Sequence, residues 1–549
     1  MKFLKKNLLL VLLSLIFALS LFLRLYQLES FPVGFHQDEA ALGYNAYSLL
    51  LTGKDENGQS LPLYINKFGD NNPSGYHYLA ILSVKFFGLN EFSTRLPAAL
   101  AGAMLILAIY FLSFTISKNT LISLFAAFFS AVAPWSIVLS RTSAETIVAL
   151  FFAILGFALF IHFFRNKNIL FLSGSVLLWI ASFLTYPAPR LYVPLLVLAT
   201  GIYVFKYIRE KKLLVPSFVS FTILIAVLLF LILGVSGGIG RFSQVSIFTH
   251  PETKLVLEEQ IREDGMEQIP PTVVRAFHNK IINHSYTFLL NYSSYFSLEY
   301  LFLKGGQPLL LNVPHIGLLY LVELPFILIG IYSVIRSKNH FSKLLLIWLL
   351  LAPATAAITF DDSPNVRRAL VMFPFIEILA GYGMLFSIKK ITEEKNKKIF
   401  ISIFMLFLLY NSVYFLHQYF VHTKVHKPWF RDVGVKEMVA EIKNSYQNYD
   451  KVIVTNATRG IHPLILFYMK YDPVTYQKEG SAKDADYSGF GKFFFVPQDC
   501  PSVNRDPDFP DFKSAIFIDK GVCPFIEGKN YEIIYRGDKT PVYRIVYED

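Results

Sequence analysis

Runs of about 18 or more apolar residues recur along most of this chain. Each is long enough to cross the roughly 30 Å hydrocarbon core of a bilayer. A backbone that crosses lipid must satisfy its own polar groups, which leaves helices as the spanning element here. Only 17% of the 549 residues are charged, against about a quarter in soluble domains. The chain therefore reads as a polytopic α-helical membrane protein. Eleven spans are expected, at about 7–24, 93–115, 119–139, 144–164, 169–184, 190–208, 213–233, 316–335, 343–359, 368–387 and 399–418. The basic start "MKFLKK" and the following apolar run of about 17 residues have the form of a signal peptide, but "RLYQLESF" offers no small-residue cleavage site, so a retained first helix is expected.

The formal net charge of +11 does not point to nucleic acid, because the basic residues sit mostly in short clusters between apolar runs. With the N-terminus in the cytoplasm, the loops "SKN", "RNKN", "KYIREKK", "RSKNHFSK" and "KKITEEKNKK" all fall on that side and all carry Lys or Arg. An odd number of spans then puts the C-terminus outside. The expected division is a transmembrane domain at 1–419 and an extracytoplasmic α/β domain at 420–549. In the latter, "GVKEMVAEIKNSY" reads as an amphipathic helix, and "KVIVTNA", "SAIFIDKG", "YEIIYRG" and "PVYRIVYED" read as strands. The two cysteines, Cys500 and Cys523, both lie there, where an oxidising exterior permits a disulfide and two free thiols are the other reading.

The charge on the outer side is concentrated in a few turns. "FHQDEAALGYNAYSLLLTG" opens the first outer loop with Asp38 and Glu39, followed by a second helical stretch, "SGYHYLAILSVKFFGL", carrying Lys85. Both stretches have the form of interfacial amphipathic helices. "SRTSAE" brings Arg141 and Glu145, "TYPAPR" brings Arg190, and "FDDSPNVRR" brings Arg367 and Arg368. Taken singly, the acids read as a helix N-cap and each arginine as a snorkelling side chain. Taken together, guanidinium groups suit phosphate and a carboxylate suits removal of a proton from an attacking hydroxyl. A reaction that uses both is transfer of a sugar from a lipid-linked phosphate. A flippase for such a lipid is the alternative, although neither inverted repeats nor midplane breaks are visible in the sequence. An inactive glycolipid-binding protein is a third reading.

The series "FHQDEAALGYNAYSLLLTGKDENGQSLPL", "NPSGYHYLAILSVKFFGLNEFSTRLPAALAGAM", "LSRTSAET", "FLTYPAPRLYVPLL" and "DDSPNVRRALVMFPFIEILAGYG" resembles the protein O-mannosyltransferase and aminoarabinose-transferase superfamily of GT-C glycosyltransferases, in order over roughly residues 1–420. The resemblance implies a GT-C fold, a polyprenyl-phosphate sugar donor, a protein or glycolipid hydroxyl as acceptor, and inversion at the anomeric carbon. It implies Asp38 as catalytic base with Glu39 as its acceptor-side neighbour. Arg141 corresponds to a basic position near the donor phosphate, and Arg190, Arg367, Arg368 and Lys85 are further phosphate candidates. Glu145 stands at a second acidic position. Arg95, in "STRLPAAL", matches a recurring Arg-Leu-Pro that anchors the return into the second span. Some members engage a divalent ion, to which His36, Asp38 and Glu145 would contribute, but no ligand spacing here requires one.

Overall fold

The computed structural model describes residues 2–67, 70–208, 213–233, 246–360, 362–456, 460–480, 488–524 and 528–549. The end of the "KYIREKK" loop (209–212), the start of the long outer loop (234–245) and Asp361 lie outside the described residues. The chain divides into two compact units, one of Met1–Arg24, Leu100–Ser140 and Ala144–Phe415, the other of Leu25–Ala99, Arg141–Ser143 and Leu416–Asp549.

The first unit is the membrane unit. Among the described residues, eight helices of the chain are long and apolar enough to cross a bilayer, from Asn7–Leu25 to Glu394–Lys424. A ninth span is a pair, Thr120–Val132 and Pro134–Ser140, bent by 56° at the intervening residue. The two remaining expected spans are short: Ile169–Thr185 has 17 residues and Leu324–Arg336 has 13. At 1.5 Å per residue the latter covers only about 20 Å. The segment before it is irregular instead of helical, with a single 3₁₀ turn at Leu321–Glu323.

Two glycines set a close helix contact in this unit. A β-carbon on Gly330 would strike the carbonyl oxygen of Leu379, and one on Gly383 would strike that of Phe326. The helices Leu324–Arg336 and Met372–Lys390 thus meet backbone to backbone, the small-residue packing that lipid-embedded helices use. The bend after Val132 frees backbone groups, and three of them find partners outside the helix. Tyr320 Oη donates to Val132 O at 2.9 Å, Trp135 N donates to Leu318 O at 3.0 Å, and the buried Arg24 donates to Ala131 O at 3.3 Å and to Ser136 Oγ at 2.6 Å. An unpaired carbonyl in hydrocarbon is costly, so these contacts hold the bend open.

The second unit joins residues 25–99 to the C-terminal residues. Its short hairpin is β1 (Tyr64–Lys67) with β2 (Asp70–Pro73). Its main element is a six-stranded sheet of β3 (Lys451–Thr455), β4 (Ser488–Phe490), β5 (Phe493–Val496), β6 (Ala515–Lys520), β7 (Tyr531–Tyr535) and β8 (Pro541–Glu548), in the order β4-β5-β3-β6-β8-β7. The centre is parallel, with β3 between β5 and β6, and both edges are antiparallel. Ile453, Val496, Ala515, Phe517 and Val546 fill one face. Cys500 and Cys523 are joined by a disulfide. Beside it, the buried Arg544 pairs with Asp519 and donates to the carbonyl oxygen of Cys523.

The two helices that follow the first span differ. Gly75–Phe87 turns Leu79, Leu82 and Phe86 outward, an i, i+3, i+7 apolar stripe suited to a headgroup layer, with Lys85 exposed beside it. Gln37–Thr52 is instead buried over most of its length. Ala40, Ala41, Gly43 and Ala46 leave room for neighbours to approach, and a β-carbon on Gly43 would meet Phe467 and Thr94 at 2.6 Å. Tyr44 Oη donates to Tyr471 O at 3.1 Å, and Gln477 Nε2 donates to Ser48 Oγ at 3.0 Å and Asp55 O at 2.8 Å.

Candidate active site

The helix Gln37–Thr52 starts at the paired acids, with His36 as N-cap. His36 Nδ1 accepts from Asp38 N at 3.2 Å, which caps the first turn. The next donor of the first turn, Gln37 N, is taken by Asp432 Oδ2 at 3.0 Å, from 395 residues further along the chain. Asp38 and Glu39 follow in consecutive positions, so their side chains leave the helix in different directions.

Their environments are opposite. The Asp38 side chain is 44% exposed, while that of Glu39 is 6% exposed. Glu39 Oε2 accepts from Arg95 Nε at 2.9 Å, Ser143 N at 3.0 Å and Ser143 Oγ at 3.0 Å, and Oε1 accepts from Arg95 Nη2 at 3.3 Å. Burial by itself would push the Glu39 carboxyl up. The charge and hydrogen bonds of Arg95, the charge of Arg431 and the Ser143 N–H together reverse this and hold it below the usual carboxylate range. Burial raises the Asp432 carboxyl above its ordinary value, helped by the negative charge of Asp38 and opposed chiefly by His36 and the Gln37 N–H.

Arg95 is fully buried and its remaining donors go to the loop that leads into the acid pair. Nη1 reaches Leu28 O at 3.2 Å, Glu29 O at 3.3 Å and Pro32 O at 3.3 Å, and Nη2 reaches Gly34 O at 2.7 Å. Its guanidinium also lies 5.2 Å from the Phe35 ring centroid. The Arg of the Arg-Leu-Pro sequence therefore shapes residues 28–35 into a turn and fastens that turn to Glu39.

Arg141 is fully buried. Nη2 donates to Gln27 O at 3.3 Å and Phe31 O at 3.2 Å, Nε donates to Tyr419 Oη at 3.3 Å, and the guanidinium rests against the Tyr419 and Phe420 rings. Two arginines thus grip one loop, and Ser143, two residues beyond Arg141, completes the shell of Glu39. Glu91 accepts from Lys436 Nζ at 2.7 Å and Tyr468 Oη at 3.1 Å, tying the start of the Glu91–Ser117 helix to the C-terminal residues.

Glu145, Arg190, Arg367 and Arg368 belong to the membrane unit. Glu145 is the first residue of the helix Glu145–Asn166, where its charge suits the helix dipole. Arg190 is buried, with Nε and Nη2 donating to Phe183 O at 3.1 and 2.8 Å. Arg367 and Arg368 follow Asn365, whose side-chain oxygen accepts from both of their backbone N–H groups. Among the described residues, no three His, Cys, Asp or Glu side chains meet in a way that holds a metal ion.

Ser143, Asp432, Arg431 and Tyr419 are absent from the sequence reading. The first stands inside the quoted "LSRTSAET" but has no chemistry of its own to mark it. The other three lie hundreds of residues from Asp38, and no periodicity or spacing links them to it.

No protein-family model matches the sequence, and no curated protein matches it. Solved structures do. The archaeal oligosaccharyltransferase AglB from Archaeoglobus fulgidus, in complex with an inhibitory peptide and a dolichol-phosphate, matches with a TM-score of 0.53 at 13% identity, over 84% of this chain and 64% of that one. This chain thus spans under two thirds of that enzyme's length. ArnT from Cupriavidus metallidurans, bound to undecaprenyl phosphate, matches with a TM-score of 0.54 at 12% identity, over 98% of this chain and 97% of that one. This chain shares the fold of these two structures.

Proposed function

Starting from the GT-C fold, we propose that this chain is an integral-membrane glycosyltransferase that moves a sugar from a polyprenyl-phosphate donor to a hydroxyl of a protein or glycolipid. The transfer takes place on the outer face of the membrane, with inversion at the anomeric carbon. The N-terminus lies in the cytoplasm and residues 420–549 lie outside.

The observation that carries this reading is the contrast within the acid pair: one carboxylate is left exposed while its neighbour is saturated by four donors. Asp38 is the general base. It accepts the proton of the acceptor hydroxyl as the oxygen attacks the anomeric carbon and the lipid phosphate departs. Such help is worth roughly 10²–10⁴ in rate. Glu39 is a positioning residue, because a carboxylate spent on Arg95 and Ser143 holds the helix start and the Arg141–Ser143 turn in one geometry. Arg141 positions residues 27–31, and Arg190, Arg367, Arg368 and Lys85 are the further cations proposed for the donor phosphate. Glu145 remains the second acidic position.

A transfer assay in nanodiscs tests the proposal. It offers a panel of polyprenyl-phosphate sugars with candidate acceptors to the wild type and to Asp38→Asn, and reads products by mass spectrometry. Consumption of one donor by the wild type alone supports the reading. Equal turnover by Asp38→Asn removes Asp38 from the base role.

A further inference from the structure

The membrane unit holds a second pair of acids that the proposed reaction does not use. Glu323 ends the 3₁₀ turn before the short helix Leu324–Arg336, and Glu377 lies on the facing helix Met372–Lys390. Both side chains are fully buried and lie within hydrogen-bonding reach of each other. Trp135 Nε1 donates to Glu377 Oε1 at 3.1 Å. Both oxygens of Glu323 and the other oxygen of Glu377 make no hydrogen bond to a side chain among the described residues, and the backbone N–H of Tyr320 lies beside Glu323.

Among the described residues no cationic side chain compensates them. Tyr320 is the titratable side chain beside the pair, and its hydroxyl is given to Val132 O. The helices Thr120–Val132, Pro134–Ser140, Met372–Lys390 and Glu394–Phe420 bring no Lys, Arg or His to act on either carboxyl among the described residues. Arg24 meets the same bend but points its described bonds at Ser20 O, Ala131 O and the hydroxyls of Ser136 and Ser140. Two carboxylates in contact, buried and without a cation, cannot both be ionised. A proton between them supplies the donor that their orphan oxygens lack.

We propose that Glu323 and Glu377 form a proton-binding site in which the two carboxyl groups share one proton, and that this proton keeps the Leu321–Arg336 segment closed on the Met372–Lys390 helix. The location gives the proton its leverage. The pair lies where the bent span, the short span and the glycine-mediated contact come together, through Trp135, Tyr320 and Leu318. When a base in bulk water removes the proton, two adjacent carboxylates remain and the segment is pushed away from the helix.

Infrared difference spectroscopy on the full chain, wild type minus Glu323→Gln/Glu377→Gln, reads the proton directly. The expected difference contains one protonated carboxylic-acid band that shifts in D₂O, together with one carboxylate band. Two carboxylate bands and no acid band would mean an ionised pair neutralised by a bound cation, and two acid bands would mean no sharing; either overturns the site. The single variants Glu323→Gln and Glu377→Gln give a second reading that does not need the double variant to fold. Both should move the same acid band, and a band that answers to only one of them refutes sharing. For the latch, amide exchange of residues 318–330 in the wild type should rise by roughly tenfold more, between neutral and mildly alkaline pH, than intrinsic exchange predicts. The Gln variants, with an amide donor in place of the proton, should lack that excess. The same excess in all three proteins overturns the latch.

Discussion

Arg95 and Glu39, 56 residues apart, form a buried ion pair with Nε 2.9 Å from Oε2. The pair divides two neighbouring acids into different jobs. With Glu39 committed to the scaffold, the partly exposed Asp38 is held at the helix start, its Oδ2 3.6 Å from His36 Nδ1.

Replacing Asp38 by Asn should leave the protein folded and membrane-inserted, because its exposed side chain is not part of the core. Transfer should fall by about two orders of magnitude or more. Steady-state rates at saturating donor, set beside size-exclusion profiles in detergent, check both halves of this expectation.

Replacing Arg95 by Ala leaves a buried carboxylate without its partner and four carbonyl groups of residues 28–34 without a donor. Breaking such a pair costs about 3–5 kcal/mol. The melting temperature in detergent should drop accordingly, and Arg95→Lys should recover little of it, since an ammonium cannot reproduce the fork that reaches Glu39 and the loop together.

Acid should act through Glu39. Its carboxyl sits below the ordinary value in the folded chain, so its stabilising contribution is complete above the unfolded value of about 4.3 and disappears as pH falls through the folded one. Asp432 has the opposite sign: raised in the folded chain, it binds a proton there that the unfolded chain releases, so it contributes a decline in stability as pH rises just above the ordinary aspartate range. Melting curves from pH 3 to 7 should therefore show a shallower acid limb for Glu39→Gln and a steeper net rise for Asp432→Asn. Unchanged slopes in both would separate these groups from stability.

Removing the Cys500–Cys523 bridge, which closes a segment with a sequence separation of 23, should destabilise the second unit by about 2–4 kcal/mol. Cys500→Ser/Cys523→Ser should unfold at lower denaturant than the oxidised wild type, and reductant should bring the wild type to the variant's midpoint.

The apolar runs made the helical membrane fold legible, since a run that crosses lipid announces itself by length. The short helix Leu324–Arg336 was not legible as short, because hydropathy continues through "GLLYLVEL" although the backbone there is irregular. Strands β6, β7 and β8 follow visible β-rich runs, whereas β4 and β5 lie in "SGFGKFFFV", where three consecutive phenylalanines show no alternation because both faces are covered. At the site, Asp38, Glu39 and Arg95 stand out by type and position. Their division of labour did not, because it depends on Ser143 and on which of two adjacent side chains points inward. Asp432 was beyond reach, as long-range pairing leaves no local trace.

The helix that carries Asp38 is made long before its partners: its first-turn donor is taken by Asp432 and its tyrosine by the carbonyl of Tyr471, 427 residues after Tyr44. Its partners are therefore synthesised only after the last membrane helix. Throughout insertion the outer loop must wait, unburied and without the contacts that fix its acids. A nascent chain halted before residue 430 would carry the membrane helices but lack those contacts. The assembly of the second unit thus waits for residues 432–477, and any activity that depends on it is withheld until they have been made.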